Sequence, residues 1–308
     1  MVTIESPMVA RRRVRLALRE AREAAHLTQQ QVADEMEWSL SKVIRIENGE
    51  VSIAPNDLRP LLSYFGVDDR KHVSAMIEDA KVARSRQRDI WYRKPAYRMH
   101  ITESLRRLID YETKAVEIRF YSIYFMPGPL QIPEYAAAVA RLWDDELSEN
   151  QIRVRVETAR RRRQSLASRS SNLRLQVLLD ESVFRRPIGG AAIFASQLRE
   201  LERLAQQDYV AIRMIPFSLD TPVTNNGSFD LLSLGDDPAG GMVLYRENGL
   251  ADELFEDDPT TSRHRYRFDR VWHQAAGERA TLEFIRDRIA SLTRPRSASW
   301  RSLSGSAE

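Results

Sequence analysis

The sequence of 308 residues predicts two folds in one chain: an all-α N-terminal domain of about five helices, and an α+β C-terminal domain with a mixed or mainly antiparallel sheet. Apolar residues recur at helical spacing through the first 80 residues, whereas several later segments alternate between apolar and polar residues as strands do. The length is sufficient for two domains, each with a core of its own. The order of the patterns places the helical domain before the domain that contains the sheet.

Composition excludes several classes of protein. The chain has no cysteine, which excludes disulfides, iron–sulfur clusters and cysteine nucleophiles. It has no run of 18 apolar residues and no apolar leader, so we expect no membrane contact and a cytoplasmic location. The formal net charge of +3 lies within residues 1–94, which hold 17 Lys+Arg against 14 Asp+Glu. Local basic patches must therefore attract any anionic partner.

Changes in composition divide the chain into five segments. We expect residues 1–8 to be disordered, residues 9–80 to form the helical domain, and residues 81–95 to be a basic connection. This connection lacks glycine, which favours an extended helix over a flexible linker. Residues 96–293 follow as the α+β domain, and the Ser/Arg-rich residues 294–308 form a tail that we expect to be disordered.

The first predicted helix begins in the arginine run at Arg11 and reaches about Ala25. Val14 and Leu18 belong to its apolar stripe, and the arginines lie on another face near its N-terminal end. After the stretch described next, a fourth helix is predicted over Asp57–Phe65 and a fifth from Lys71 to about Arg88.

Residues 28–49 read as two short helices joined by a tight turn. Thr28 and Gln31 form a capping box for the first helix, and Ser39 can cap the second. The second helix should end at Asn48-Gly49, because glycine tolerates the left-handed conformation there. Two helices at this spacing form a helix-turn-helix, whose second helix is offered to a DNA major groove. A helical hairpin with a solvated polar face is the alternative.

The segments LTQQQVA (27–33) and SKVIRIENG (41–49) resemble the helix-turn-helix of the phage-repressor-like, Xre-type DNA-binding family. The resemblance covers about Val9 to Val67 and implies binding to double-stranded DNA. Two positions depart from the family, which carries glycine where this chain has His26 and Glu37. Histidine takes positive φ more readily than most residues, and glutamate does so at some cost.

The resemblance and the outward face of the second helix together assign the site residues. Base reading is expected from Leu40, Ser41, Ile44 and Arg45. Phosphate contacts are expected from Arg11, Arg12, Arg13, Gln29, Ser39, Lys42 and Asn48, with a solvated arginine face as the alternative for the first three. Arg45 is the best candidate for direct readout, because a guanidinium can grip O6 and N7 of guanine. Arg22 and Glu47 match a structural ion pair of the family, and Trp38 belongs either to the core or to the DNA contact.

The remaining sequence alternates between helical and strand patterns. Helices are expected over 102–113, 133–143, from the capping box of Ser148 and Gln151 through Arg163, from Gly189-Gly190 through Gln207, and over 260–276 and 278–292. Strands are expected over 116–120, 173–179, 210–215, 229–234 and 242–246, the last two joined by the turn signal GDDPAGG.

A second resemblance lies in these later residues. The segments PGPLQIPEY, RRRRQ, DESVFRR, GSFDLL and VLYREN, in order over about residues 95–292, are similar to the C-terminal domain of the Scr1 family of helix-turn-helix regulators. That family commonly has two leucines where this chain has Pro129-Leu130. The resemblance implies a transcriptional regulator or an antitoxin-like protein, often encoded beside a small partner protein.

The patterns of catalytic and metal sites are missing. The five histidines (His26, His72, His100, His264 and His273) form no HxH, HExxH or HxxxH arrangement, so we expect no metal site, no cofactor and no enzyme activity. Asp180-Glu181 could serve acid–base chemistry or pair with Arg185-Arg186. Arg160–Arg163 could bind RNA or another anion, or form a solvated helix face with salt bridges.

The sequence as a whole predicts a sequence-specific DNA-binding transcriptional regulator. The recognition helix, about residues 39–48, would enter the major groove, and a homodimer would bind a two-fold operator. The C-terminal domain would sense a small-molecule effector or bind a small protein encoded nearby, and the protein would be nucleoid-associated when bound. The alternative is an antitoxin-like protein that mainly binds a small partner and represses its own operon through the same DNA-binding domain.

Overall fold

The computed structural model describes residues 7–85, 90–143, 147–220, 227–235, 241–247 and 252–294. The chain divides into two compact units, each assembled from separate parts of the sequence. Unit 1 comprises Met1–Arg119, Ser168–Arg174 and Phe229–Arg267, and unit 2 comprises Phe120–Ala167, Leu175–Ser228 and Phe268–Glu308. Unit 1 thus contains both the N-terminal helices and three strands of the sheet. The sequence instead predicts a boundary between these two parts at residues 81–95. Whether residues 9–80 fold by themselves stays a prediction.

Five helices open unit 1, as the sequence predicts: α1 (Pro7–Ala24), α2 (Gln29–Glu35), α3 (Leu40–Glu47), α4 (Pro55–Tyr64) and α5 (Arg70–Arg84). They share a core of apolar residues, among them Val14, Leu18, Val32, Val43, Ile46, Leu58, Leu62, Met76 and Ile77. Each helix contributes one apolar stripe, so the five stripes bury one another around a single centre.

Both ends of this helical region differ from the sequence prediction. Residues Pro7 and Met8 belong to α1 and are buried, so the expected disorder of residues 1–8 is wrong for these two; residues 1–6 lie outside the described chain. The helix expected to about Arg88 is interrupted earlier: α5 ends at Arg84 and Ser85 is extended, with ψ of 137°, while residues 86–89 lie outside the described chain.

The two short turns that flank α2 take the conformation usually given to glycine. His26 has φ of 56° and Glu37 has φ of 52°. In each turn the next amide closes a six-residue loop: Leu27 donates to the Arg22 carbonyl at 3.1 Å, and Trp38 donates to the Ala33 carbonyl at 2.8 Å. Both turns are therefore Schellman-type helix ends, formed without glycine.

Six strands form one sheet: β1 (Glu117–Ser122), β2 (Arg174–Asp180), β3 (Val210–Ile215), β4 (Phe229–Ser233), β5 (Met242–Glu247) and β6 (Asp252–Phe255). The strand order is β3-β2-β1-β4-β5-β6. Strands β2 and β3 pair in parallel, whereas β4, β5 and β6 pair antiparallel. The predicted mixed sheet is confirmed; the short, half-buried β6 is a strand that the sequence pattern did not show.

The remaining helices are α6 (Pro95–Arg98), α7 (Glu103–Glu112), α8 (Pro133–Ala140), α9 (Glu149–Ala167), α10 (Glu181–Arg185), α11 (Ala191–Leu204), α12 (Asp258–Gln274) and α13 (Glu278–Thr293). Within unit 2, Tyr135, Phe184 and Phe194 are among the fully buried aromatic residues of the core. The expected turn over GDDPAGG and the expected disordered tail fall on residues 236–240 and 295–308, outside the described chain.

Candidate DNA-binding surface

Two side-chain caps set the helix-turn-helix. The Thr28 hydroxyl accepts from the Gln31 amide at 3.2 Å, and Gln31 Oε1 accepts from the Thr28 amide at 2.8 Å, so both halves of the capping box are present. The Ser39 hydroxyl accepts from the Lys42 amide at 3.2 Å and begins α3. These hydroxyls satisfy amides that have no partner within the helices, and each side chain fixes where its helix starts.

The α3 helix has one buried face and one outward face. Val43 and Ile46 lie in the core, while Leu40, Ser41 and Arg45 are exposed. Ile44 is half-buried between the two faces. The four residues predicted to read bases therefore include three that are open to solvent.

Arg45 is held only loosely. Its guanidinium Nε lies 3.4 Å from Glu50 Oε2, and both side chains are 54% exposed. An ion pair with this exposure contributes about 0–1 kcal/mol. The guanidinium can therefore leave Glu50 for a base edge at little cost. Asn48, which caps the end of α3, donates to the same carboxylate at 3.4 Å.

Lys42 is more firmly placed. Its ammonium lies 3.3 Å from Asp57 Oδ2 on α4 and 3.6 Å from the centre of the Trp38 ring. Trp38 itself is half-buried against the helical core, so the ring serves the core on one side and the cation on the other. In this arrangement Asp57 competes with any phosphate for Lys42.

An open groove of about 330 Å³ runs along α3. Polar and charged residues of α3 and its neighbours line it (Ser39, Ser41, Lys42, Arg45, Ser52, Asp57 and Arg84), together with the apolar residues Ile46, Val51, Ile53 and Ala54. The groove places the exposed α3 residues beside the start of α4. A nucleic-acid backbone or a base edge would meet hydroxyls and cations along this surface.

The Arg22 side chain, on α1, grips Glu47 at the end of α3. Arg22 Nε lies 2.6 Å from Glu47 Oε1 and Nη2 lies 3.1 Å from Oε2, which makes the pair bidentate. The hydrogen bond to Glu47 raises the pKa of Arg22. Gln29 Nε2 also donates to Glu47 Oε2 at 2.9 Å, so the residue expected on a phosphate is engaged with the buried carboxylate.

The arginine run at the start of α1 is not a free basic face. Arg12 is 4% exposed, its Nη2 donates to the Met242 carbonyl at 3.4 Å, and burial lowers its pKa. Other residues of unit 1 thus cover this part of α1 and bury Arg12, whose contact with a phosphate stays a prediction. Arg13 Nε donates to Asp79 on α5 at 3.0 Å, and Arg11 donates to the Ala83 carbonyl at 3.5 Å.

Sequence reasoning missed one residue of this region, Glu256. Glu256 is 9% exposed and forms ion pairs with Arg12, Arg15 and Arg107. Burial lowers the pKa of Arg15 to about 10. No local pattern marks Glu256, which follows a strand that the sequence did not predict.

Three arginines of the α9 cluster form ion pairs with glutamates of unit 2. Glu157 accepts from Arg160 and Arg161 at 2.6 Å each, and these hydrogen bonds lower the pKa of Glu157 to about 2. Arg163 pairs with Glu200, and Arg162 is 8% exposed. These contacts favour the salt-bridged helix face over the RNA- or anion-binding alternative.

The carboxylates after β2 are also engaged. Asp180 caps α10 by accepting from the Ser182 amide at 2.9 Å. Glu181 is buried, pairs with Arg185 and accepts from the Phe217 amide at 2.8 Å. Both groups serve local structure, which favours the ion-pair alternative over acid–base chemistry. Among the described residues, no group of three or more histidine, aspartate or glutamate side chains could hold a metal ion.

The caps, the buried and outward faces of α3 and its bracing by Arg22 define a DNA-binding helix-turn-helix protein. The model of the helix-turn-helix domain family matches residues 14–73, which include α2 and α3. A second family model, described as a domain of unknown function (DUF5753), matches residues 105–287. That match covers more than half of the chain, and the chain belongs to this family.

No curated protein and no solved structure matches the chain. Within the described residues, no helix is both long enough and apolar enough to span a membrane.

Proposed function

We propose that the chain is a sequence-specific transcriptional regulator of the Xre type, which binds double-stranded DNA as a homodimer with α3 in the major groove. The observation that carries this proposal is the division of α3 into a core face, with Val43 and Ile46, and an outward face, with Leu40, Ser41 and Arg45. A helix anchored on one side and open on the other can enter the groove as a rigid body.

Base reading falls to the outward face. Arg45 would donate to guanine O6 and N7, and Leu40 would meet a thymine methyl group. Ser39 and Lys42 would contact phosphates at the start of α3, after Lys42 exchanges Asp57 for the backbone. Gln29 would reach a phosphate from the start of α2 with the amide hydrogen that Glu47 does not use.

For the C-terminal region we propose regulation: this region would sense an effector or bind a partner protein. The resemblance of residues 95–292 to the Scr1 family supports this part. Mass measurement of the full-length protein in solution tests the dimer, and analysis of material that co-purifies with it tests the partner. A monomer that stays monomeric on its selected DNA would contradict the two-fold operator.

Selection of duplexes from a randomised pool by the full-length protein tests the DNA-binding proposal. We expect a shared, two-fold-related sequence whose half-sites are about one helical turn apart, or a multiple of it. Arg45→Ala should relax the preference at one position of each half-site, at a cost of about 1–3 kcal/mol. Arg199→Ala, which removes an exposed arginine of α11, is the matched control and should change nothing. Equal weakening on all sequences by Arg45→Ala would contradict its base-reading role.

A further inference from the structure

The carboxylate of Glu256 is the meeting point of several elements of unit 1. It lies in the two-residue connection between β6 and α12, and it pairs with Arg12 and Arg15 from α1 and with Arg107 from α7. Tyr111 of α7 also donates its hydroxyl to Glu256 Oε1 at 2.8 Å. A single buried carboxylate thus holds α1, the first helix of the helix-turn-helix domain, against residues from the later part of the chain.

Arg15 extends this contact to the recognition helix. Its Nη1 lies 3.4 Å from the carbonyl oxygen of Glu47, the last residue of α3. Its side-chain stem packs on Gly49, where an added Cβ would lie 3.1 Å from Arg15 Cδ. One side chain therefore touches both Glu256 and the end of α3, whose other brace is Arg22.

Arg12 also packs closely against a glycine, as Arg15 does against Gly49. Gly241 has φ of 58°, and a Cβ at this position would lie 2.6 Å from Arg12 Nη2. A side chain at position 241 would displace the Arg12 guanidinium, which with glycine there reaches the Met242 carbonyl. The close fit of Arg12 and Arg15 fixes the position of α1 at two points one helical turn apart.

Removal of the Glu256 charge would leave two buried guanidinium groups of α1 without their shared carboxylate. A buried cation that loses its carboxylate is strongly unfavourable, and burial already lowers the pKa of both groups. The side chains would therefore move toward water and carry α1 with them. Since Arg15 also contacts the end of α3, the recognition helix would lose part of its support.

We propose that Glu256 is a positioning residue for DNA recognition, which fixes the orientation of α3 through Arg15 and the carbonyl of Glu47. This inference rests on the proposed function of α3 as the base-reading helix. A residue in the connection between β6 and α12 would thus affect DNA specificity. Glu256 does so without contacting DNA, because it is buried beneath α1 and does not line the groove along α3.

The test compares full-length variants on two duplexes: one selected by the wild-type protein from a randomised pool, and a scrambled duplex of equal composition. Glu256→Gln keeps the shape of the side chain and removes its charge. We expect its affinity for the selected duplex to fall about three- to tenfold, with affinity for the scrambled duplex unchanged, as for other residues that act through a connected network. Arg15→Lys should give the same loss, because an ammonium cannot reach Glu256 and Glu47 at once.

A general loss of stability would behave differently, and three controls separate it. Glu253→Gln breaks the pair that Glu253 of β6 makes with Arg246 of β5, and it should leave both affinities unchanged. The double variant Glu256→Gln/Arg15→Lys should lose no more than either single variant, because both act on one connection. Circular dichroism establishes folding, and Arg15→Lys carries the test if Glu256→Gln does not fold.

The outcomes are distinct. If the wild-type protein selects no duplex, the proposed function fails and this inference fails with it. If a duplex is selected but Glu256→Gln binds it as Glu253→Gln does, the inference alone is overturned. Equal loss on both duplexes would also overturn it, because a positioning residue must change the ratio of the two affinities.

Discussion

Arg22 and Glu47 form a bidentate pair between α1 and the end of α3, with oxygen–nitrogen distances of 2.6 and 3.1 Å. Both side chains are largely buried, at 12% and 7% exposure. Charge-assisted bonds of this kind are strong and directional. The pair therefore fixes the recognition helix on the first helix more firmly than apolar contact alone would.

Glu47→Gln should lower the free energy of unfolding by about 2 kcal/mol, because it leaves the Arg22 guanidinium buried without its carboxylate. The urea midpoint, followed by circular dichroism, measures the loss. Glu50→Gln removes an exposed carboxylate three residues further on and should shift the midpoint very little. Equal midpoints for the two variants would show that the bidentate pair does not brace α3.

Asp57→Asn should strengthen binding to a duplex about two- to threefold and steepen its dependence on salt. The substitution frees Lys42 from its partner 3.3 Å away, so this lysine can neutralise a phosphate and release a counterion. Affinities at several salt concentrations provide both quantities. Asp68→Asn makes the same change of charge at an exposed position without a lysine partner among the described contacts, and a similar gain there would assign the effect to net charge.

Gly49→Ala should destabilise the protein more than Gly66→Ala does. Both glycines have φ of 74°, so each alanine carries the same backbone strain, about 1–2 kcal/mol. Only the Cβ at position 49 also meets Arg15, 3.1 Å from its Cδ, whereas nothing lies within 4 Å at position 66. The difference between the two urea midpoints measures the crowding, and its absence would show that Arg15 moves freely.

Acid should remove a contribution of Glu157 to stability. Hydrogen bonds from Arg160 and Arg161 lower the pKa of this carboxylate to about 2 in the folded protein. A lowered folded-state pKa adds stability above the unfolded value of about 4.3, and this is lost as pH falls from about 5 toward 2. The contribution is about 1 kcal/mol or less, because the pair is partly exposed. Glu157→Gln should show a flatter fall of the thermal midpoint over this pH range; parallel curves would contradict the pairing.

Local signals explain how much of the fold could be predicted. The hydroxyls of Thr28 and Ser39 and the side-chain amide of Gln31 mark helix starts, so the sequence predicts the first residues of α2 and α3 to within a residue. The strand β6 carries no alternation, because all four of its residues are half-buried, and it escaped prediction.

The candidate DNA-binding surface also contains features that the sequence predicts and features that it does not. The exposure of Leu40, Ser41 and Arg45 follows from the helical period, which the sequence displays directly. The burial of Arg12 does not, because its partners Met242 and Glu256 are more than 200 residues away in the chain. Long-range pairing of charges leaves no periodic signal, so the sequence predicts an accessible arginine run that contacts phosphates or solvent.

Methylation interference shows whether Arg45 of α3 reads a base in the major groove. Guanine N7 methylation blocks a guanidinium that grips O6 and N7. On the duplex selected by the wild-type protein, we predict that methylation of one guanine in each half-site abolishes binding of the wild-type protein. The Arg45→Ala variant should bind this duplex more weakly, and methylation of that guanine should not change its affinity. If the wild-type protein and Arg45→Ala show the same interference pattern, Arg45 does not read that base.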